Sequence, residues 1–458
     1  MFGLFYTMVI RLNNSRSRII ADNQQEFKAV RDYLSIKLPE SKLRHIKSNW
    51  DGVTNFVTKT GMFATGLLPL ISSKFHVMVQ DNRSLPSPKR ICKSIGKYDF
   101  TNYKGSDYQY QAISKCVNNF NTGVYFPRGI INAATNTGKT AIMAGIKESY
   151  QLPALMLIHD KDVYRQSVEF FSEFFEVGEI NSKKVDIKDF TVAMYKSLYN
   201  RSSSINVKKY LSSVPILFVD ECHKAGGKDY RALISKIDSP IRFFMSGTSL
   251  DRIEDTSNVY LIGMSGPKIV DISNQFLINL GVSMKPIVYI HDNNPGYLLQ
   301  NYHQEVEHII NRSPIKNQKI KEIVSDRKQT FISVRKIHHG EYLQDYLKGI
   351  GLRVVFVSGE SEFREEALRD LKTQEIDVVI STVFRVGLNI PTLKKWINAM
   401  GGKSTIEMKQ LMGRILRQDD SGETIEFHDF YDHGNSVEEH SKKRIKIYQN
   451  EGFEIVKK

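Results

Sequence analysis

The chain has 458 residues, of which 41% are hydrophobic and 25% are charged. No apolar run reaches the roughly 18 residues of a membrane span, and three cysteines are too few for a disulfide framework or a zinc site. These features exclude membrane-embedded and disulfide-rich secreted proteins, and they predict an intracellular, globular protein of about three domains.

Positive charge is concentrated at the start of the chain. The net charge is +14, and residues 1–100 contain 16 Lys and Arg but only 7 Asp and Glu. A basic first domain on a nearly balanced remainder predicts a polyanionic partner. The alternative is a solvated basic surface that binds no such ligand.

Residues 1–80 predict a small α+β unit. Helical spacing of apolar residues runs from Gln24 to Ile36. Strand-like runs lie on both sides of it, at residues 5–12, 54–58, 61–64 and 74–79. Residues 81–97 carry two prolines and five Lys or Arg, and they predict a linker.

From about residue 106 the pattern alternates between apolar strands and helices. The first series of predicted strands is 129–132, 154–158, 190–194, 215–219 and 241–245, and the second is 330–334, 353–357, 377–381, 395–399 and 423–428. Such alternation predicts an α/β fold with two parallel-sheet lobes in tandem. The segment 263–311 joins them as a possible hinge. The predicted domains are 1–95, 96–270 and 271–440, followed by a helical tail at 441–458.

A phosphate-binding loop is the most informative motif. The sequence Ala-Ala-Thr-Asn-Thr-Gly-Lys-Thr, residues 133–140, stands between a predicted strand and an apolar helix. Backbone N–H groups of such a loop surround a phosphate chain at the helix N-terminus. Lys139 supplies charge for the β- and γ-phosphates, and the Thr140 hydroxyl can ligate Mg²⁺. Asn136 replaces a frequent Gly, a mild departure because Asn tolerates the left-handed conformation. The loop predicts a nucleoside triphosphatase, with the nucleotide contacted by residues Thr135, Asn136, Thr137, Gly138, Lys139 and Thr140.

Two acidic residues follow an apolar strand 81 residues after Lys139. Asp220 would hold Mg²⁺ through water, and Glu221 would polarise the water that attacks the γ-phosphate. The alternative is an ordinary acidic helix start. Farther on, Ser246, Gly247 and Thr248 follow a strand and could link the phosphate site to other regions, although a simple turn would also explain them.

The segment from Gln410 to Arg417 places Arg414 and Arg417 three residues apart on one helical face, next to Gly413. Arginines of this kind stabilise charge that develops on a transferred phosphoryl group. The alternative, a basic surface helix, explains neither Gln410 nor Gly413 at these positions. Together with Glu221, the residues Gln410, Arg414 and Arg417 form the predicted catalytic set.

In this order, the motifs resemble those of the helicase superfamily 2 motors. The resemblance covers about residues 105–430 and implies two RecA-like lobes that bind ATP and Mg²⁺. It implies that Gln109 reads adenine, although the repeated Tyr-Gln leaves Gln111 as the other candidate. The segment 381–391 resembles the fifth motif of the family and brings Gly387 to the nucleotide. Implied nucleic-acid contacts are Lys336, Ser381 and Thr382.

Within the superfamily, the chain resembles phage recombination helicases of the UvsW type, including their short basic N-terminal domain. The shared features are Asn49-Trp50-Asp51-Gly52, Asp-Glu-Cys-His at 220–223 and His339-Gly340. Trp50 could stack on a base or pack in the core, and the core position is favoured because tryptophan is highly buried on average. Two positions depart from the family: Ile158-His159-Asp160 stands where a Pro-Thr is usual, and Met194 stands where relatives place a Thr that faces the nucleic acid.

The resemblance implies a DNA helicase that acts on branched or forked DNA, performing branch migration and fork remodelling. It also implies a T5-type phage source, the host cytoplasm as location, no membrane partner, a monomeric state and other phage recombination or replication proteins as partners. Three other functions stay open. They are an RNA-directed ATPase of the same superfamily, a double-strand translocase or restriction motor, and a DNA-binding protein with a nucleotide switch. Intact Glu221, Arg414 and Arg417 argue against the last.

Overall fold

The computed structural model describes residues 8–37, 51–134, 136–247, 255–283, 286–359, 363–382, 393–403, 408 and 425–458. The chain divides into two compact units, residues 1–133 with 137–272 and residues 273–458 with 134–136. Within the described ranges, no helix is long and apolar enough to cross a membrane.

The N-terminal part is a small mixed α/β domain, as its sequence predicted. Its strands and helices are Met8–Leu12 (β1), Arg16–Ala21 (β2), Gln24–Tyr33 (α1), Ser35–Lys37 (β3), Val53–Asn55 (β4), Met62–Ala64 (β5), Leu68–Ser72 (α2) and Met78–Asp81 (β6). The main sheet has the order β5-β2-β1-β6, with β1 antiparallel to β2 and parallel to β6. Residues 82–93 of the predicted linker form neither helix nor strand, and two short strands follow, Ser94–Ile95 (β7) and Tyr98–Asp99 (β8).

A seven-stranded parallel sheet forms the centre of the first unit. After a short hairpin, Phe120–Asn121 (β9) and Val124–Tyr125 (β10), its strands are Arg128–Ala133 (β11), Ala154–Ile158 (β12), Val177–Ile180 (β13), Phe190–Met194 (β14), Ile216–Val219 (β15), Ile241–Ser246 (β16) and Lys268–Ile272 (β17). Their order is β13-β14-β12-β15-β16-β11-β17. The five predicted strands are confirmed and occupy the centre, where near-continuous apolar runs are buried on both faces.

Helices connect these strands, as parallel pairing requires. They are Tyr108–Val117 (α3), Lys139–Tyr150 (α4), Lys161–Ser172 (α5), Tyr195–Arg201 (α6), Ile205–Leu211 (α7), Lys228–Ile234 (α8) and Asp255–Ser265 (α9). The carboxyl ends of all seven strands meet at one edge of the sheet, which is where open parallel sheets bind ligands.

The second unit repeats this architecture. Its helices are Asn274–Asn279 (α10), Tyr302–Glu305 (α11), Pro314–Val324 (α12), Ile337–Lys348 (α13), Phe363–Lys372 (α14) and Ser436–Asn450 (α15). Its strands are Ile287–Asn293 (β18), Thr330–Ser333 (β19), Val354–Val357 (β20), Val378–Ser381 (β21), Lys395–Asn398 (β22), Glu426–Asp432 (β23) and Glu454–Lys457 (β24). The sheet is parallel, with the order β20-β21-β19-β22-β23-β18-β24.

Two regions differ from their predicted roles. The segment 263–311 supplies β17 to the first sheet and β18 to the second, so it is more than a connection. The predicted helical tail 441–458 belongs to α15, which begins at Ser436, and to β24, which pairs in parallel with β18. The tail therefore completes the second sheet.

The N-terminal domain is docked on the first sheet through two fully buried arginines. Arg128 and Arg242 are register partners on β11 and β16. Arg128 donates to the backbone oxygen of Asn14 at 2.6 Å, and Arg242 donates to the Ser15 hydroxyl at 2.5 Å. Apolar side chains of the domain also pack against Phe126 from the start of the sheet. The core of the domain thus extends to Phe126, next to the first strand of the sheet.

Candidate functional site

The phosphate loop connects β11 to α4 at the carboxyl edge of the first sheet. Gly138 precedes the helix with φ +75°, and a Cβ there would lie 2.4 Å from Gln109 Nε2. Only glycine fits this position without displacing Gln109. Asn136 has φ +73°, so it does occupy the left-handed conformation that made the replacement of glycine mild.

Gln109 and Tyr108 both hold the loop from α3. Gln109 Nε2 and the Tyr108 hydroxyl donate to the backbone oxygen of Thr137 at 2.9 and 3.0 Å. Gln109 Oε1 is buried and has no hydrogen-bond partner among the described residues. Gln111 is exposed and donates to Asp107 instead. The geometry therefore favours Gln109 over Gln111 as the residue with an acceptor available to an adenine amino group.

Lys139 and Thr140 begin α4 and are both partly exposed. Lys139 Nζ donates to the backbone oxygen of Ala133 at 3.3 Å, across the loop. The ammonium group therefore lies at the mouth of the loop, where a phosphate would be surrounded by N–H groups. Both residues retain the positions that the sequence assigned them.

Strand β15 ends at Val219 and delivers Asp220 and Glu221 to the same edge of the sheet. Glu221 has φ +47°, a left-handed conformation that is unusual for a residue with a side chain. Its backbone N–H donates to Asp220 Oδ1 at 2.9 Å. The strand thus ends in a sharp turn, so that the two adjacent carboxylates point in different directions.

A three-residue network surrounds the Glu221 carboxylate. His223 Nδ1 lies 3.1 Å from Glu221 Oε2 and 2.9 Å from Ser246 Oγ. Ser246 Oγ donates to Glu221 Oε2 at 3.3 Å. Because Ser246 is the last residue of β16, the network joins the ends of two neighbouring strands. Gly247 follows in a turn and is half-buried.

The two carboxylates have opposite pKa shifts. Burial and the neighbouring Glu221 raise the pKa of Asp220 to about 6. Burial would also raise the pKa of Glu221, but the His223 hydrogen bond and the charges of Lys139 and Lys224 outweigh it and lower that pKa to about 2. Glu221 is therefore ionised at neutral pH, and the charge of Asp220 is the one that a bound cation would stabilise.

These residues fit a magnesium ion that is shared with a triphosphate. Among the described residues, no group of three or more His, Cys, Asp or Glu side chains could hold a metal ion. Mg²⁺ usually takes one or two protein oxygens, and phosphate oxygens and waters complete its shell. Asp220, whose ionised form is opposed by burial, and the Thr140 hydroxyl match that requirement.

A stack of aromatic rings begins at His159, one of the positions where the sequence departs from its relatives. His159, at the end of β12, stacks on Tyr195 with ring centres 5.2 Å apart, and Tyr195 stacks on Tyr230 at 4.6 Å. Tyr230 is buried, and the charge of Asp220 adds to burial in raising its pKa. Asp160 caps α5 by accepting from Asp162 N at 2.9 Å. A stack of three rings thus extends from the carboxylate site to exposed His159.

The nucleic-acid candidates of the second unit lie at the carboxyl edge of its sheet. Lys336 is exposed at the start of α13, and Thr382 is half-buried just after β21. Ser381 is buried and donates to the backbone oxygen of Val357 at 3.0 Å, so its hydroxyl is directed into the sheet. Other predicted site residues lie outside the described residues: Trp50, Thr135, Thr248, Gly387, Gln410, Arg414 and Arg417.

Two residues of the site were missed by sequence reasoning. His223 had a signal in the sequence, since it ends the Asp-Glu-Cys-His run, but its bond to Ser246 requires the pairing of β15 with β16. Tyr108 had no signal in the sequence beyond the uncertain register of the repeated Tyr-Gln.

The fold and the loop define a class: a phosphate-loop ATPase built from two RecA-like lobes. Comparisons with known proteins narrow that class. Residues 102–251 match the family described as type III restriction enzyme, res subunit, and residues 315–419 match the helicase conserved C-terminal domain. The two matches together cover more than half of the chain.

Relatives agree with these matches. The chain is 24% identical over 352 residues to putative helicase 22 of Sulfolobus islandicus filamentous virus, covering 69% of the chain and 62% of that relative. It is 24% identical over 391 residues to the ATP-dependent DNA helicase uvsW of Enterobacteria phage T4, covering 73% of the chain and 74% of the relative. A fragment of a putative HsdR restriction subunit from Vibrio vulnificus shares the fold with a TM-score of 0.59 at 16% identity, covering 77% of the chain and 68% of that structure.

The chain therefore belongs to the superfamily 2 helicases, which are ATP-hydrolysing enzymes. The resemblance to UvsW-type helicases that its motifs indicated is confirmed by sequence similarity.

Proposed function

We propose that this helicase uses ATP and Mg²⁺ to move on DNA and that its substrate is branched or forked DNA. The observation that carries the proposal is the Glu221–His223–Ser246 network. It connects the carboxylate that would polarise water to the end of a neighbouring strand, so a change at the nucleotide can reach another part of the first unit.

The chemistry follows from the residues at the edge of the first sheet. Lys139 would neutralise the phosphates, while Asp220 and Thr140 would hold Mg²⁺, which offsets negative charge on the triphosphate. Glu221, ionised because of its lowered pKa, would accept a proton from the attacking water. His223 and Ser246 fix the direction of that carboxylate.

The same network would transmit the state of the nucleotide. When the γ-phosphate leaves, the water and charge facing Glu221 change, and the hydrogen bonds to His223 and Ser246 change with them. Ser246 continues into Gly247, which would be the first residue beyond the network to respond.

A row of arginines on the N-terminal domain supports DNA as the partner. Arg16 and Arg18 are exposed on one face of β2, and Arg11 is exposed on β1 directly opposite Arg18. Like charges placed opposite each other destabilise a sheet unless a polyanion binds them. The three guanidinium groups therefore suit backbone phosphates, which a motor must bind without reading sequence.

Docking of the domain supports action at a branch. Because Arg128 and Arg242 fix it to the first sheet, the arginine face moves together with the ATPase lobe. One rigid unit could then hold duplex through the domain while the motor acts on a strand beside it. A T4 relative named as a DNA helicase is consistent with this substrate class.

An ATPase panel tests the proposal. Hydrolysis should be stimulated by single-stranded, forked and four-way DNA, with the branched forms most effective, and not by structured RNA. Lys139→Ala should abolish the stimulated rate without changing the thermal unfolding profile. Equal stimulation by RNA would contradict the DNA assignment, and turnover by Lys139→Ala would contradict the site.

The arginine face has its own test. Replacing Arg11, Arg16 and Arg18 by Gln should reduce the dependence of log binding constant on log salt by up to about 2.7, at roughly 0.9 for each phosphate contact. A matched triple change of exposed Lys442, Lys443 and Lys446 to Gln on α15 is the control and should leave the slope unchanged. An unaltered slope in the arginine variant would exclude the domain as a phosphate contact.

A further inference from the structure

An exposed apolar segment follows the first strand of the second sheet. Residues 294–301 connect β18 to α11, and residues 294–304 contain no Asp or Glu. Within it, Tyr297 is 48% exposed, Leu298 73% and Tyr302 42%. Large apolar side chains clustered on a surface usually mark an interaction site.

Hydrogen bonds to the start of α15 fix the segment in place. Buried Glu305 accepts hydrogen bonds from the backbone N–H groups of Asn435, Ser436 and Val437 at 2.5, 2.9 and 3.3 Å. These are the first N–H groups of α15, which would otherwise lack partners. Asn435 Nδ2 also donates to the backbone oxygen of Leu299 at 3.0 Å. One carboxylate therefore fastens the segment to the C-terminal helix.

Some side chains of the segment pack against a small core, and others are exposed. Leu299 and Val306 pack against a small core of Ile309, Ile310 and Val437. The Tyr302 ring meets His440 edge to face, with ring centres 5.4 Å apart. Tyr297 and Leu298 face solvent although this small core lies next to them. Their exposure follows from the hydrogen bonds and packing that fix the backbone of the segment.

The position of the segment and the charges near it indicate which kind of ligand it binds. The segment leaves the carboxyl end of β18, the same edge of the sheet from which Lys336 projects. Glu307 contacts Asn311 at 3.0 Å, Arg312 at 2.6 Å and His338 at 3.3 Å, so its charge is compensated. Asp292, just before the segment, pairs with His433 at 2.6 Å. The acidic side chains on either side of the exposed residues therefore have partners, which lowers the repulsion of a polyanion that carries flat apolar groups.

We propose that Tyr297, Leu298 and Tyr302 form a base-contacting prong that packs on unpaired nucleobases and separates the strands of a duplex at a junction. The inference rests on the proposed function, since the prong acts on the DNA that the motor moves. Two aromatic rings offer faces on which any base can stack, and Leu298 fills the space that a displaced base pair leaves.

The test separates strand separation from motor activity. In the full chain, Tyr297→Ala combined with Leu298→Ala should reduce unwinding of a forked duplex about tenfold to a hundredfold, the range expected for one lost stacking contact. ATP hydrolysis stimulated by single-stranded DNA should stay within about twofold, since no residue of the nucleotide site is changed. A fluorescent base analogue at the junction should be quenched by the parent protein and not by the variant.

Phe276→Ala provides the matched control. Phe276 is 42% exposed and lies on α10, before β18 begins, at the opposite edge of the same sheet. Its replacement should alter neither unwinding nor quenching. Unchanged unwinding by the double variant would overturn the prong and leave a protein partner as the occupant. If the parent protein shows no DNA-stimulated hydrolysis, the proposed function itself fails.

Discussion

Replacing Arg128 by Met tests how the N-terminal domain is attached. The Arg128 side chain is fully buried and makes three hydrogen bonds to backbone oxygens: to Asn14 at 2.6 Å, to Met264 at 2.8 Å and to Ser265 at 2.8 Å. Methionine has a similar length but no donor. The buried Ser265 oxygen and the part-buried Asn14 oxygen would lose this charged donor, whereas the Met264 oxygen would keep a longer bond from Arg242 at 3.4 Å.

The magnitude follows from these contacts. A hydrogen bond to a charged group contributes about 1.5–3 kcal/mol, and a buried carbonyl left without a partner costs about 1–3 kcal/mol. Two terms offset this loss. Burial lowers the pKa of Arg128, and the charge of Arg242 beside it lowers it further, so removing the guanidinium relieves an unfavourable burial. We therefore expect a net loss of about 3 kcal/mol, which corresponds to one or two hydrogen bonds to a charged group.

Thermal unfolding of the full chain measures the effect. A loss of about 3 kcal/mol should lower Tm by about 6–12 °C for a unit of this size. Arg165→Met is the control, because Arg165 is 68% exposed and pairs with Asp162 on the surface, so its Tm should change by less than about 2 °C. If the two variants unfold at the same temperature, Arg128 does not fasten the domain.

Three further outcomes concern the site. Ser246→Ala should lower kcat about tenfold, the value of one hydrogen bond to a charged group, with ATP affinity retained; a pure loss of affinity would contradict the network. Arg417→Ala should lower kcat and leave KM nearly unchanged, because the predicted finger acts on charge in the transition state; a change in KM alone would count against it. Since the pKa of Asp220 is raised to about 6, Mg²⁺-dependent hydrolysis should fall as pH drops through that value. Higher Mg²⁺ should move the midpoint to lower pH because metal and proton compete for the carboxylate, and a midpoint independent of Mg²⁺ would refute this role.

The central strands of both sheets could be predicted because burial on both faces leaves a continuous apolar run. The strands β12 and β14 match their predicted bounds to the residue. Three of the four edge strands lack that signal, whereas β20, the apolar run Val354–Val357 at one edge of the second sheet, was predicted. β13 and β17 are partly exposed, and β24 has exposed charged residues at both ends, so none carries an uninterrupted apolar run. β18 was missed because His291 and Asp292 interrupt its apolar pattern.

Local features of the site were predictable, and long-range ones were not. The conformation of Asn136 follows from its own chemistry and from the loop motif. In contrast, the bond between His223 and Ser246 joins residues 23 positions apart, and that between Arg128 and Asn14 joins residues 114 positions apart. Both depend on strand register and domain docking. For the bond between Arg128 and Asn14 the sequence held a weak signal, a polar residue at the start of an apolar strand.

The backbone at Glu221 shows why the site cannot be read from residue types alone. Its left-handed conformation costs roughly 1–2 kcal/mol for a residue with a Cβ. Glycine would adopt φ +47° without that cost but would have no carboxylate to offer. The hydrogen bond from Glu221 N to Asp220 Oδ1 and the contacts with His223 and Ser246 hold the residue in this conformation. The strained backbone thus places a carboxylate at the very end of a strand. The groups that hold it there come from the ends of two neighbouring strands, so no single segment of the sequence contains them all.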